Sequence, residues 1–197
     1  MNKLSRTGAA FAVGLLFGSP ALAQTSGSTV QRDVNQQERI EQGLQSGDLT
    51  THEAGQLERR EATVEKMQSN ALKDGSLSDA EKARLRRAQN KVSSDIYRDK
   101  HDASAGNPNS ASSQRMQADV QRNVNQQARI AQGVRSGELT NHETASLERG
   151  QSHVSRAEAR AGANSHVGPI EQGNIQAREN HQSKRIFAKK HNEREKS

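Results

Sequence analysis

Four histidines stand at matching places in two related stretches of the chain: His52 answers His142, and His101 answers His191. If three helices in each stretch run up, down and up, the start of the second helix and the end of the third meet at one end. That places His52 near His101 and His142 near His191, with Glu53, Asp99 and Asp102 as oxygen ligands. Imidazole with carboxylate suits zinc, nickel or copper(II). The same residues have a plainer role. A histidine at a helix C-terminus is favoured by the dipole, and one in an exposed first turn is solvated. The chain has no Cys and no H-x-x-x-H pair to strengthen the metal reading.

Calcium is the second candidate chemistry. With Gly75 as position six of a calcium loop, Asp74 falls at five, Ser78 at nine and Glu81 at twelve. Asn70 and Leu72 would fall at one and three, and a leucine cannot coordinate the ion. Around Gly47 the equivalent positions are Gln42, Leu44 and Ser46, without a carboxylate. A helix stop followed by a capped helix start explains the same residues. The third candidate is the basic end, residues 184–196. There Lys184, Arg185, Lys189 and Lys190 flank Ile186 and Phe187, which suits contact with an anionic envelope surface. Only 2% of residues are aromatic, so no base-stacking platform exists and nucleic acid is not an expected partner. No phosphate loop, G-x-S-x-G or zinc-protease motif occurs. With 30% hydrophobic residues the chain is expected to have little interior in which burial could shift a carboxylate. No catalytic residue is therefore assigned, and no enzyme activity is expected.

The elements that must position these residues emerge from self-comparison. Residues 30–60 and 120–150 align without a gap at an offset of 90, with 20 of 31 positions identical. A shorter pattern, G-x-L-[ST]-x-x-E-x-x-x-L, starts at Gly47, Gly75 and Gly137. Its fourth place, residues 165–175, is degraded to SHVGPIEQGNI. Glycine supplies the left-handed backbone that ends a helix. Thr50, Ser78 and Thr140 are N-caps, and Glu53, Glu81 and Glu143 complete capping boxes. Helices are predicted at 28–45, 51–72, 79–100, 116–135, 141–162 and 169–194. Val30, Val34, Ile40 and Leu44 fall on one helical stripe, as do Leu85, Ala88, Val92 and Ile96. The expected class is all-α: two tandem three-helix modules at 24–102 and 115–197, joined by a flexible linker at 103–114 and stabilised weakly or by self-association.

The first 23 residues carry Lys3 and Arg6, an apolar run over 8–17, Pro20 and an Ala21-Leu22-Ala23 cleavage site. They read as a Sec-type signal peptide, so a periplasmic or secreted location is expected. The run R-I-x-Q-G-x-x-S-G-x-L-T-x-x-E-x-x-x-L-E, followed by I-[YF]-x-x-K-H-[DN], resembles an uncharacterised group of exported proteobacterial helical-repeat proteins. The resemblance spans 30–102 and 120–192. It implies export and helical architecture and carries no assigned activity. The second copy departs from it by lacking the middle G-x-L-[ST] turn, so its third helix is expected to dock differently. The best-duplicated surface is N-Q-Q-x-R-I-x-Q-G. Asn35, Gln36, Arg39, Asn125, Gln126 and Arg129 are accordingly the expected interaction face for a protein partner or for self-association. Two readings stand: a non-catalytic interaction or structural module associated with the envelope or with envelope stress, and a periplasmic divalent-metal buffer or sensor.

Overall fold

Caps and left-handed glycines set several of the helix boundaries. In the computed structural model, which describes residues 20–192, the order is α1 (Pro20–Ser46), α2 (Thr51–Ala71), α3 (Asp79–Asp99), α4 (Ala111–Ser136), α5 (Asn141–Ala161), a 3-10 turn (Gly162–Asn164) and α6 (Pro169–Lys190). The fold is all-α. Thr50, Ser78 and Thr140 cap α2, α3 and α5 in full capping boxes with Glu53, Glu81 and Glu143. Gly47, Gly75 and Gly137 take φ of 83°, 85° and 75°. The expected leader lies outside the described residues except for its last four, with which α1 begins.

The degraded fourth turn is a correction. Ser165 stands where Gly75 stands in the first copy and adopts the same left-handed backbone, φ 66°. Val167, in the place of Leu77, is fully buried. Gly168 caps α6, and its N–H donates to Glu171 Oε2 at 2.8 Å, the half of a capping box that needs no side chain at the cap. The third helix of the second copy therefore docks as its counterpart does. Gln36 Nε2 donates to the Gln89 carbonyl on α3, and Gln126 Nε2 to the Glu179 carbonyl on α6.

The two copies share their cores. One apolar cluster joins Ile40, Leu44, Leu57 and Ile96 to Met116, Val120 and Ile175, and another joins Val30 and Val34 to Ile130, Val134 and Leu147. Like packs on like: α1 lies along α4 and α2 along α5. Both pairs are antiparallel. Gly27 meets Val134, while its counterpart Gln117 donates to the carbonyl of Leu44, the counterpart of Val134. Gly55 lies against Gly162, and Asn141 Nδ2 donates to the Gly75 carbonyl at the other end of α2. This is the arrangement of an isologous dimer within one chain. Helices α3 and α6 flank the central four.

The segment expected as a flexible linker is pinned. The Gly106 N–H donates to the Gly47 carbonyl at 2.8 Å, and Gly106 sits so close to the Leu49–Thr50 backbone that no side chain would fit. An Asn107 side chain accepts from the Asn109 N–H, and α4 then starts at Ala111 with Ser110 as its cap. The expected boundary at 114 moves upstream for that reason. A left-handed serine costs roughly 1 kcal/mol relative to glycine. Ser165→Gly is expected to raise unfolding stability by about that amount in urea titration, with the helical circular-dichroism spectrum unchanged.

Candidate functional site

The seam where α2 meets α5 has the 3–4 spacing of a helical core, but polar side chains alternate with apolar ones along most of it. On α2 it runs Ala54, Leu57, Glu61, Val64, Gln68, and on α5 Thr144, Leu147, Gln151, Val154, Glu158, all buried. Glu58, Glu65 and Glu148 flank the seam, with Gln37 on α1 and Gln127 on α4 above them. Glu58, Glu61, Glu148 and Glu158 are 0% exposed and Glu65 is 1% exposed. Gln37 Nε2 donates to Glu58 Oε2 at 3.0 Å, and its counterpart Gln127 Nε2 donates to Glu148 Oε2 at 3.3 Å. Gln127 Nε2 also reaches Glu65 Oε1 at 3.1 Å, which accepts from Ser155 Oγ as well.

Two further links show the copies exchanging acid for amide across one preserved bond. In the first copy Gln68 Nε2 donates to Asp33 Oδ2. In the second, Asn123 Nδ2 donates to Glu158 Oε2 at 2.6 Å. Position 33 has become an amide at 123, and position 68 has become an acid at 158. The donor has changed helix and the bond has stayed.

Charge is not balanced in this interior. No lysine or arginine is buried among the described residues. Glu179 pairs with Arg122 at 2.7 Å, and Asp95 and Asp99 pair with Arg60 and Arg98. Glu58, Glu61, Glu65, Glu148 and Glu158 make no ion pair among the described residues. Donors are short as well. Both oxygens of Glu61, one each of Glu65 and Glu148, and the amide oxygens of Gln37, Gln68, Gln127 and Gln151 face no donor. One oxygen of Glu58 and one of Glu158 likewise face no donor. Protons on the carboxyls supply what is missing.

Burial is the main cause of the resulting shifts. It pushes Asp33, Glu58 and Asp119 up to about 7 and Glu179 up to about 8. Glu61, Glu65, Glu148 and Glu158 are raised well above the usual range, first by burial and then by neighbouring acids. The expectation of too little interior to bury a carboxylate is overturned. Two copies share one interior, and part of what fills it is neutral acid and amide.

The expected metal histidines serve elsewhere. His101 stacks on Tyr97 with ring centres 4.2 Å apart, and its Nδ1 bonds the Tyr97 carbonyl at the end of α3. His191 does the same on Phe187 at 4.1 Å. His52 Nδ1 bonds the Ala163 carbonyl, and the ring of His142 lies against Gly75. His52 and His142 each reach across to the opposite copy. Among the described residues no three of His, Asp and Glu are placed to hold a metal ion. In the calcium-like loop, Glu81 Oε2 is taken by the Ser78 backbone N–H and hydroxyl, and Asp74 Oδ1 by the Ser76 N–H.

The expected interaction face divides. Asn35 and Asn125 are exposed. Gln36 and Gln126 are buried in the bonds to α3 and α6, and Arg39 and Arg129 reach Ser93 Oγ at 2.6 Å and Ser183 Oγ at 2.8 Å. Four of the six thus fasten the flanking helices to the centre. The duplicated motif is faithful because both copies need that joint.

The buried acids were missed, although the 3–4 spacing of Leu57, Glu61, Val64 and Gln68 was open to reading. Glu61→Gln supplies two donors at the same volume. It is expected to leave stability at pH 5 nearly unchanged and to raise it at pH 8 by roughly 1–3 kcal/mol, measured by urea unfolding at each pH. Comparison of the chain with family models, curated proteins and solved structures gives no match.

Proposed function

We propose that this chain is an exported, non-catalytic helical-bundle protein of the cell envelope whose fold is held by carboxyl protons, so that it is firmest in acid and loosens as pH rises past neutrality. One observation carries this reading: five sealed glutamates without an ion pair face a network short of donors. The acids with perturbed affinity for protons are those solvent cannot reach. Acid–base work on an outside substrate is therefore not what they serve. Export rests on the leader-like first 23 residues. The alternative of a histidine-based metal buffer draws less support, since each of the four paired histidines already has a partner or a neighbour within the fold.

The direction of the pH effect follows from the shifts. Each of these carboxyls binds its proton more tightly in the folded chain than in the unfolded one. For Asp33, Glu58, Asp119 and Glu179 the contribution is complete below about pH 4, the unfolded carboxyl range, and is lost as pH rises through the folded values of about 7 to 8, and Glu61, Glu65, Glu148 and Glu158 act in the same direction. The melting temperature of the protein without its leader is expected to fall by roughly 10 °C or more between pH 5 and pH 8. A flat or rising profile would sink the proposal. Calcium or zinc added at pH 8 separates protons from cations. A large calcium-dependent rise would assign the network to a hard cation. Tight zinc binding abolished in His52→Ala with His142→Ala would restore the metal buffer. N-terminal sequencing of protein recovered from the envelope fraction should begin at Gln24.

A further inference from the structure

The two copies differ most in the groove where the flanking helix meets the central hairpin. Between α2 and α3 this groove holds 220 Å³ and is closed by an ion pair, Arg60 Nη1 to Asp95 Oδ2 at 2.9 Å, which Lys91 joins at 3.2 Å. Between α5 and α6 the groove holds 580 Å³. Gly150 stands there in place of Arg60, and Arg185 in place of Asp95. His153, Arg178 and His181 replace Thr63, Ala88 and Lys91. Arginine and aspartate have given way to glycine and arginine, so the groove is wider and has lost its carboxylate.

The charge in the second groove is unopposed. Its walls carry His153 from α5 and Arg178, His181 and Arg185 from α6, and no acidic side chain lines it. Arg149 and Arg156 on α5 act on the same space, since with Arg178 and Arg185 they hold the His153 ring below its usual proton affinity, after the larger effect of its partial burial. Among the described residues none of these four arginines makes an ion pair. Arg185 is held in position by neutral groups, Nη2 donating to the Ser146 carbonyl and hydroxyl at 2.8 Å and Nη1 to Gln182 Oε1 at 3.0 Å. Gly150 is required by that placement, because a Cβ there would run into Gln182 and Arg185. Arg178 makes no hydrogen bond or ion pair among the described residues and stands exposed on α6.

We propose that the α5–α6 groove is a binding site for a multivalent phosphate, either a free polyphosphate or the phosphorylated headgroup of a lipid. Two guanidinium groups that line the groove, Arg178 and Arg185, offer N–H donors to phosphate oxygens, and Arg149 and Arg156 on α5 add to the positive field around His153. Burial of the acids elsewhere strengthens the case. The formal net charge of +6 counts carboxyls that are sealed and protonated, so the outer surface is more basic than that figure. This site is independent of the bundle interior, and either can fail alone.

Calorimetric titration with sodium tripolyphosphate at pH 6.5 tests the site. Binding in the micromolar range is expected. The double variant Gly150→Arg with Arg185→Asp installs the first copy's ion pair and should weaken binding at least about tenfold. Arg87→Ala, on the exposed face of α3, changes net charge by the same amount and should leave binding nearly intact. Equal losses in the two variants would show only diffuse surface charge and overturn the site, as would binding no tighter than millimolar. If the double variant does not fold, Arg178→Ala serves in its place, with the same expected loss. The His153 ring proton, followed by NMR through a pH titration, gives a second readout: bound tripolyphosphate should raise its midpoint, and an unmoved midpoint would also overturn the site. Flotation with phosphatidylcholine vesicles, with and without phosphatidic acid, separates the sources. Binding to the phosphatidic acid vesicles as well as to tripolyphosphate assigns a lipid headgroup, and binding confined to tripolyphosphate assigns a soluble ligand.

Discussion

A carboxyl group sealed from water, with no cation beside it, holds a proton more easily than a charge, and the centre of this bundle is built from such groups. Glu58, Glu61, Glu65, Glu148 and Glu158 lie between α2 and α5 at 0–1% exposure, tied by Gln37, Gln127 and Asn123 and short of further donors. Protonated, each becomes a donor as well as an acceptor, and the network can close. Ionised, each adds repulsion to neighbours of the same sign. Everything else in the molecule surrounds that condition. The apolar clusters flank the polar layer, and the flanking helices α3 and α6 close it from water with bonds from Gln36, Arg39, Gln126 and Arg129.

Duplication is what makes such a layer feasible. A single three-helix copy has one thin apolar stripe per helix and would leave Leu57, Glu61 and Val64 on an open face. Packing α1 on α4 and α2 on α5 covers both faces at once. The pairing also allows compensation, because each position has a counterpart across the pseudo-twofold axis. Asp33 with Gln68 and Asn123 with Glu158 make the same bond with the acid on opposite helices. What is preserved between the copies is a pairing of donor with acceptor. A position-by-position match of residue types overlooks that rule and registers only a D-to-N and a Q-to-E change.

Local signals were legible, and long-range ones were not. Thr50, Ser78 and Thr140 with their glutamates placed three helix starts, and the glycine turns placed the stops, because caps are decided within a few residues. Ser165 hid the fourth turn, since a serine in the left-handed region is an exception that only surrounding packing enforces. The linker at 103–114 has a flexible composition, yet a contact between Gly106 and Gly47, far apart in sequence, holds it. The histidines paired correctly by repeat and wrongly by place. His52 and His142 pack on the opposite copy, and the assumption that each copy stands alone put them beside His101 and His191.

The same assumption explains how a scarcity of apolar residues misled. Counting Leu, Ile and Val measures the core available if polar residues stay outside. Here neutral acids and amides fill seam positions that leucine would otherwise take, so the chain folds around fewer apolar side chains than its length suggests. Sealing the acids has an external consequence. Among the described residues no arginine or lysine is buried, while part of the negative charge is sealed inside, so the outer surface is more cationic than the net charge alone implies. The two copies keep a common interior because both must satisfy one shared network. Their outer grooves are under no such joint constraint, and there the chain differs between copies: an ion pair in one, an open set of arginines in the other. Differences between copies on the outside, beyond the reach of the pairing that binds their interiors, are where recognition can specialise.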